Sequence, residues 1–325
     1  MAAAELAPSP PSGTAIARAP REGTTSWPLV DRIGYWLCWT VGIGLCLVAL
    51  AIVLFMLVKG ISYLRIGLLV HSPAPSQIQS QSGGFLDPIE GTLIVALIGT
   101  VIAVPVGVAI ATWLSEYRRP AGLARAVESA IEITAGAPSV VLALFGLLIF
   151  AQGFLGFLSQ RAATGAVYGR SFFAAGVVMA GLALPLIVSS TREGLAQLPN
   201  HLREASYALG RTRATTIRRV LLPAIRPDIS TGTVLGIGRI IGDTAIIRIL
   251  LGLTLTTQPV GQVPVLGLLR GTGSTLTSYI YENSPAGEGL SPQKAYAAAF
   301  VLLAIVLALN GLVTWTTNRG PRWTR

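Results

Sequence analysis

Arg239, Asp243 and Thr244 stand inside an otherwise apolar run from Ile229 to Leu255, and they are the side chains best placed to act on a small charged molecule. If Ile229 marks one edge of a bilayer, a rise of about 1.5 Å per residue puts Arg239 roughly 15 Å deep. An unpaired guanidinium is costly there on every scale. Asp243 follows four residues later, so on a continuous helix the two side chains share a face, with Gly232 and Gly236 below them. A guanidinium stays charged at all accessible pH and donates parallel hydrogen bonds to two oxygens of one oxyanion. A neighbouring carboxylate would hold it while the path is empty and keep binding weak enough for release. Two readings stay open: a substrate-contacting pair, or a permanent ion pair that helps helices pack. The glycines likewise leave room for a path or for close helix approach. Arg248, about 28 Å along the run by the same rise, is expected to snorkel to the far interface.

Other chemistries find no support. A phosphate-cradling Walker A loop needs Gly-Lys-Ser/Thr, but Lys59 follows Val58 and Lys294 follows Gln293. There is no G-x-S-x-G elbow and no H-E-x-x-H pair. Cys38 and Cys46 fall in one apolar run, where they read as small packing residues, and the remaining metal-type ligands of note are His71 and His201. No catalytic residue, metal site or cofactor is expected, and transport against a gradient would draw its energy from another subunit.

The elements that must position Arg239 follow from composition. Hydrophobic residues make up 52% and charged residues 12%, against about 25% charged in ordinary soluble domains. The chain therefore reads as an all-α membrane protein. A bilayer crossing needs roughly 20 apolar residues, and six runs qualify: 33–58, 91–114, 133–158, 171–191, 229–255 and 295–318. Pro105 and Pro138 fall within such runs and read as kinks or hinges. Of the 24 Lys and Arg, sixteen lie in the N-terminal 32 residues, the loops after the second and fourth runs, and the C-terminal tail. The positive-inside rule places both termini and those loops in the cytoplasm. The net charge of +10 is then explained by this bias and by anionic lipid, without a nucleic-acid partner. Residues 1–32 read as a disordered cytoplasmic tail with no signal peptide, residues 33–318 as the membrane domain, and residues 319–325 as a second short tail.

The loop at 192–228 is strongly basic and patterned. Pro199 and Asn200 start a helix on which Leu202, Ala205 and Leu209 recur on one side, and Gly210 stops it in a left-handed conformation. A second stretch, Thr212 to Leu222, puts Ile217, Val220 and Leu221 on one face and Arg213, Arg218 and Arg219 elsewhere, until Pro223 ends it. Such a pair could lie on anionic lipid or present a docking surface. Glu116, Glu128 and Glu132, interleaved with Arg118, Arg119 and Arg125, read as a solvated helix face.

Glu204-Ala205-Ser206, Gly210 and Val220-Leu221-Leu222-Pro223 resemble the EAA signature of ABC-importer permeases, with Ser206 in place of Ala and Val220 in place of Ile. The resemblance implies that these residues form a coupling helix seated in an ATPase subunit. Gly136 to Val141 with Leu144-Phe145, Leu184 to Val188, Arg239 to Ala245 and Ser278 to Tyr281 resemble PstA-type phosphate permeases over about residues 30–318. The usual Glu of the "R-x-x-G-E-T-A" segment is replaced by Asp243, one methylene shorter. The resemblance implies a type I ABC-importer permease in a bacterial inner membrane. Expected partners are a homologous permease subunit as heterodimer, two ATPase subunits, an extracytoplasmic phosphate-binding protein, phosphate and lipid. Arg239, Asp243 and Thr244 would line the path, and the chain itself would hydrolyse nothing. A permease for sulphate or molybdate and an energy-independent anion channel are the alternatives.

Overall fold

The computed structural model describes residues 28–61, 66–73, 83–159, 168–252, 264–285, 287 and 292–318. Among the described residues there is no strand. The helices are α1 (Leu29–Gly60), α2 (Ile66–Val70), α3 (Leu86–Thr112, prolonged by a π turn at Trp113–Tyr117), α4 (Ala121–Gly136) and α5 (Ser139–Phe150). They continue as α6 (Phe172–Gln197), α7 (Asn200–Ala208), α8 (Arg213–Thr216), a π turn at Ile217–Leu221, α9 (Leu222–Ala224) and α10 (Arg226–Gly242). The last four are α11 (Thr244–Leu251), α12 (Pro264–Arg270), α13 (Leu276–Asn283) and α14 (Pro292–Asn318). Of the expected disordered tail at 1–32, residues 1–27 fall outside the described residues, whereas residues 29–32 are the first turn of α1; the end of the expected fifth run at 253–255 and the C-terminal tail also fall outside.

Four helices are long and apolar enough to cross a bilayer among the described residues: Leu29–Gly60, Leu86–Tyr117, Phe172–Gln197 and Pro292–Thr317. The two other expected crossings are broken. The run 133–158 is divided between α4 and α5, which meet at 113°. Pro138 has no N–H to donate and disfavours helical geometry in the residue before it; Ala137 is accordingly extended, at φ −71° and ψ 136°. The run 229–255 is divided at Asp243, also extended at φ −85° and ψ 118°, into a 17-residue and an 8-residue helix. Pro105 stays within α3 and Pro185 within α6.

The chain forms two compact units, one up to Leu54 and one from Phe55 onward. In the first, α1 exposes Trp36, Trp39, Leu45 and most other apolar side chains, and Cys38 and Cys46 are exposed with them, contrary to the expected packing role. The exposed apolar surface of Leu29–Gly60 suits a bilayer, being long and apolar enough to cross one. In the second unit, the last turns of α1 meet α14: the Phe55 ring is edge-on to Tyr296 at 5.4 Å, and Gly60 lies against the Ala297 backbone.

The core of the second unit is built by α3, α5, α6, α10 and α11, with Val95, Ala143, Phe172, Met179, Ile187, Ile240, Ile247 and Leu250 buried together. Within a membrane, lipid tails are as apolar as leucine, so helices associate through close packing of small residues. Gly107 admits Ile187 so closely that an added Cβ would stand 2.7 Å from its Cγ2, and at Gly99 the clash would be with Ile240 at 2.9 Å. Gly176 receives Ile98 and Gly146 receives Val178 in the same manner. Gly232 and Gly236 pack on Ile187 of α6, which resolves their role as close helix approach. The result ties α10, the carrier of Arg239, to α6, whose far end carries the basic loop.

Candidate functional site

The loop at 192–228 folds into two helical arms. α7 begins after Pro199, which is extended, and Gly210 ends the first arm at φ +74° with open space around it. The left-handed value is the one that glycine adopts without strain. The second arm runs through Thr212, whose side chain accepts the Thr215 N–H, into α8 and the π turn. It does not stop at Pro223 as expected. The π turn re-phases the backbone, so that Pro223 falls in the first turn of α9, where no N–H is required of it; the break comes at Ile225.

Each arm has one side against the chain and one side bare. Ile217, Leu221 and Ile225 are buried with Leu195 at the end of α6, with Leu198, Val220 and Leu222 packed around them. In α7 only Ser206 is buried. Its hydroxyl lies 2.8 Å from that of Thr216, joining the two arms. The apolar side of α7 is not covered: Leu202 is half-buried, Glu204 and Ala205 are exposed, and Leu209 at the tip is 77% exposed. Arg211, Arg213, Arg218 and Arg219 are exposed around it. The tip of the helix pair thus carries an exposed leucine and alanine among exposed arginines.

The acidic residues before the third run are not a solvated face. Glu116, in the first π turn, is 6% exposed and accepts two N–H groups of Arg203, at 2.9 and 3.1 Å. Arg203 also donates to the carbonyls of Leu195 at 3.0 Å and Leu198 at 3.2 Å, and lies 3.5 Å from Asn200 Oδ1. Glu128 pairs with Arg192 at 2.9 Å and with Arg118 at 3.7 Å. Tyr117 lies beneath the Arg213 guanidinium, 5.4 Å from its ring centre. Only Glu132 of the three carboxylates is exposed. The signal that would have found these contacts is tertiary, since Glu116 and Arg203 are 87 residues apart.

In α10, Arg239 is exposed and makes no ion pair with Asp243 among the described residues. Asp243 does not continue that helix: its carboxylate accepts the Ile246 N–H at 3.0 Å and caps α11. An acidic cap complements the positive end of a helix. Thr244, half-buried, is the first residue of α11. Around Arg239 the helix is bare. Thr231, Leu235 and Gly242 are exposed, and a Cβ at Gly238 or Gly242 would meet nothing within 4 Å. Arg248 pairs with Glu282 at 2.8 Å and lies 4.6 Å over the Tyr281 ring. Next to it, α13 is held by Leu276 N–H donating to Thr92 Oγ1 at 2.9 Å. Burial pushes the Tyr279 phenol up to about 12, so it remains a neutral packing ring on Phe85.

With this geometry in hand, the family profile described as "Binding-protein-dependent transport system inner membrane component" matches residues 103–319, a stretch that contains both arms and all of α10. The chain belongs to that family. Among its permeases, the "Phosphate transport system permease protein PstA 1" of Mycobacterium tuberculosis (strain CDC 1551 / Oshkosh) is 31% identical over 76% of this chain and 74% of its own length. The "Phosphate transport system permease protein PstC" of Xylella fastidiosa (strain 9a5c) is 32% identical over 69% of both chains. The fold is that of ABC-importer permeases. A chain of a bacterial alginate ABC transporter, solved with an alginate pentasaccharide-bound periplasmic protein, superposes with a TM-score of 0.58 at 18% identity, covering 89% of this chain and 96% of that one. An inward-facing MetNI methionine ABC transporter chain gives 0.50 at 19% identity, over 71% and 92%. The chain is thus a multi-pass permease of the ABC-importer type, a membrane subunit of a class without catalytic chemistry of its own.

Proposed function

We propose that this permease is one of two homologous membrane subunits of an ATP-driven importer of inorganic phosphate. Its arms, residues 199–225, dock on an ATPase subunit, with Leu209 and Ala205 entering the partner's cleft and Glu204 and Gly210 shaping the tip. Both termini and this element lie in the cytoplasm, and an extracytoplasmic phosphate-binding protein delivers the anion to the other side. The chain crosses the membrane six times, with the α4–α5 and α10–α11 breaks counted within crossings.

The observation that carries the reading is the state of Arg239. It stands on the uncovered side of a buried-core helix with no carboxylate partner among the described residues. A guanidinium left bare at membrane depth is stable only if a partner subunit, water or an anion meets it. Its planar fork fits two oxygens of a tetrahedral oxyanion, and the likeness to the phosphate permeases named above supports phosphate as that anion. Asp243, held at the α11 N-terminus, is close enough in sequence to shape the site without neutralising the arginine. Thr244 adds a hydroxyl at the same break in the helix.

Reconstitution of the chain with its partner permease, ATPase and binding protein in proteoliposomes tests this. Phosphate-loaded binding protein is expected to stimulate ATP hydrolysis and uptake. Stimulation by sulphate alone rejects the cargo, and anion flux without the ATPase rejects the importer.

A further inference from the structure

Two consecutive residues of the π turn that ends α3 grip the two arms of the coupling element. Glu116 holds α7 through Arg203, and Tyr117 holds α8 through Arg213. Arg203 reaches further. Its guanidinium spans three partners at once: the Glu116 carboxylate at the end of α3, and the carbonyls of Leu195 and Leu198 at the end of α6. Carbonyls at a helix C-terminus have no partner inside the helix and carry its negative pole, so an arginine there satisfies both. The cluster is largely buried: the Arg203 side chain is 19% exposed and that of Glu116 6%.

The two helices that Arg203 ties together are packed on one another through Gly107 and Gly176. α6 in turn receives Gly232 and Gly236 of α10 on Ile187 and Ser190. Ser190 also donates to the Asp228 carbonyl at 2.6 Å, and Gly194 lies against the Asp228 side chain. A displacement of the arms therefore has a continuous route of short contacts from Arg203 to α6 and on to the helix that carries Arg239. π turns within helices recur at functional sites, where one extra residue re-aims the following side chains. Here the extra residue brings Glu116 and Tyr117 onto the coupling element together.

We propose that Arg203 is a positioning residue for energy coupling: through Glu116 and the Leu195 and Leu198 carbonyls it makes α3 and α6 move as one body with the arms. The proposal rests on the reading that the arms dock on an ATPase. Loss of the guanidinium leaves the docking surface intact, because Leu209, Ala205 and Glu204 are exposed whereas Arg203 is turned to Glu116 and the end of α6. What is lost is the connection between that surface and the membrane helices.

The test uses the complete transporter in proteoliposomes and reads three quantities: co-purification of the ATPase, ATP hydrolysis with and without phosphate-loaded binding protein, and phosphate taken up per ATP. Arg203→Gln is expected to assemble, yet to lose about tenfold of the stimulation by loaded binding protein, the usual scale of coupling between sites. Uptake per ATP falls with it. Glu116→Gln, which keeps the two carbonyl bonds, is expected to fall in the same direction and less far. Assembled complex of either variant with stimulation within about twofold of wild type overturns the proposal. So does failure of both variants to assemble, which assigns the cluster to folding alone. If the wild-type transporter itself shows no stimulation, the importer reading falls first, and the two failures are told apart by that control.

Discussion

Ser206 and Thr216 join the arms through a buried side-chain hydrogen bond, and the direction of that bond makes unequal predictions for the two residues. Thr216 Oγ1 already donates its proton to the Thr212 carbonyl at 3.1 Å. With that proton so assigned, Thr216 Oγ1 accepts from Ser206 across the 2.8 Å contact, in which either hydroxyl has the geometry to donate. Removing the serine hydroxyl leaves Thr216 with its donor still satisfied. Removing the threonine hydroxyl leaves the serine proton with no other partner among the described residues, on a side chain only 5% exposed. Ser206→Ala should cost about 0.5–1 kcal/mol, the net value of one neutral hydrogen bond, whereas Thr216→Val should cost about 1–3 kcal/mol because it orphans a buried donor.

Thermal inactivation in detergent is irreversible for most membrane proteins, so the half-time at a fixed temperature is the proper readout. If the arms separate early in unfolding, each 1 kcal/mol accelerates inactivation by at most about fivefold. Thr216→Val is expected to inactivate faster than Ser206→Ala. The double variant should match Ser206→Ala more closely than the sum of the two, because the orphaned donor is gone; such non-additivity is the mark of residues in direct contact. Equal single effects, or strict additivity, would refute the assigned direction of the bond. The same result would remove the argument that Ser206, at a position where the EAA signature has alanine, is more than a small residue.

Three further outcomes follow from named positions. Arg239→Gln should abolish phosphate uptake while the complex still co-purifies, and Arg239→Lys should recover little because an ammonium lacks the planar fork; normal uptake by either rejects a role in the path. Leu209→Asp should leave the permease folded but weaken ATPase capture in a pull-down by roughly tenfold or more, since burial of a leucine contributes about 1.5–3 kcal/mol. Gly107→Val should lower expression and thermal half-life through overpacking against Ile187 at about 1–3 kcal/mol, whereas Gly238→Ala, with nothing within 4 Å of the new carbon, should leave both unchanged.

What was legible in the sequence depended on how far the deciding interaction reached along the chain. The helix that starts at Pro199 and the left-handed Gly210 are decided within a turn or two, and the structure has them where the pattern put them, whereas of the six apolar runs only four are single long helices among the described residues. The buried face of the second arm was legible too, because Ile217 and Leu221 repeat at helical spacing. The uncovered apolar side of α7 was not. The same periodicity would have served a helix packed against its own protein, and only the structure shows that Leu209 is left 77% exposed.

Two errors have a common physical origin, the assumption that a residue's neighbours in sequence are its electrostatic environment. Glu116 sits among arginines at 118, 119 and 125, which suggested a solvated and self-neutralising face; its partner is Arg203, and burial of the pair converts a surface charge into a structural joint. Arg239 and Asp243 stand four residues apart, which suggested a shared helix face. That inference holds only while the helix is unbroken. Asp243 leaves helical geometry to cap α11, and the spacing no longer brings the two charges together. A short acidic side chain at this position is well suited to that cap, since its oxygen must reach the N–H of Ile246 without leaving the backbone of its own turn. The replacement of the usual Glu by Asp243 therefore bears first on how α11 begins, and through that on whether the Arg239 guanidinium is left free to meet an anion.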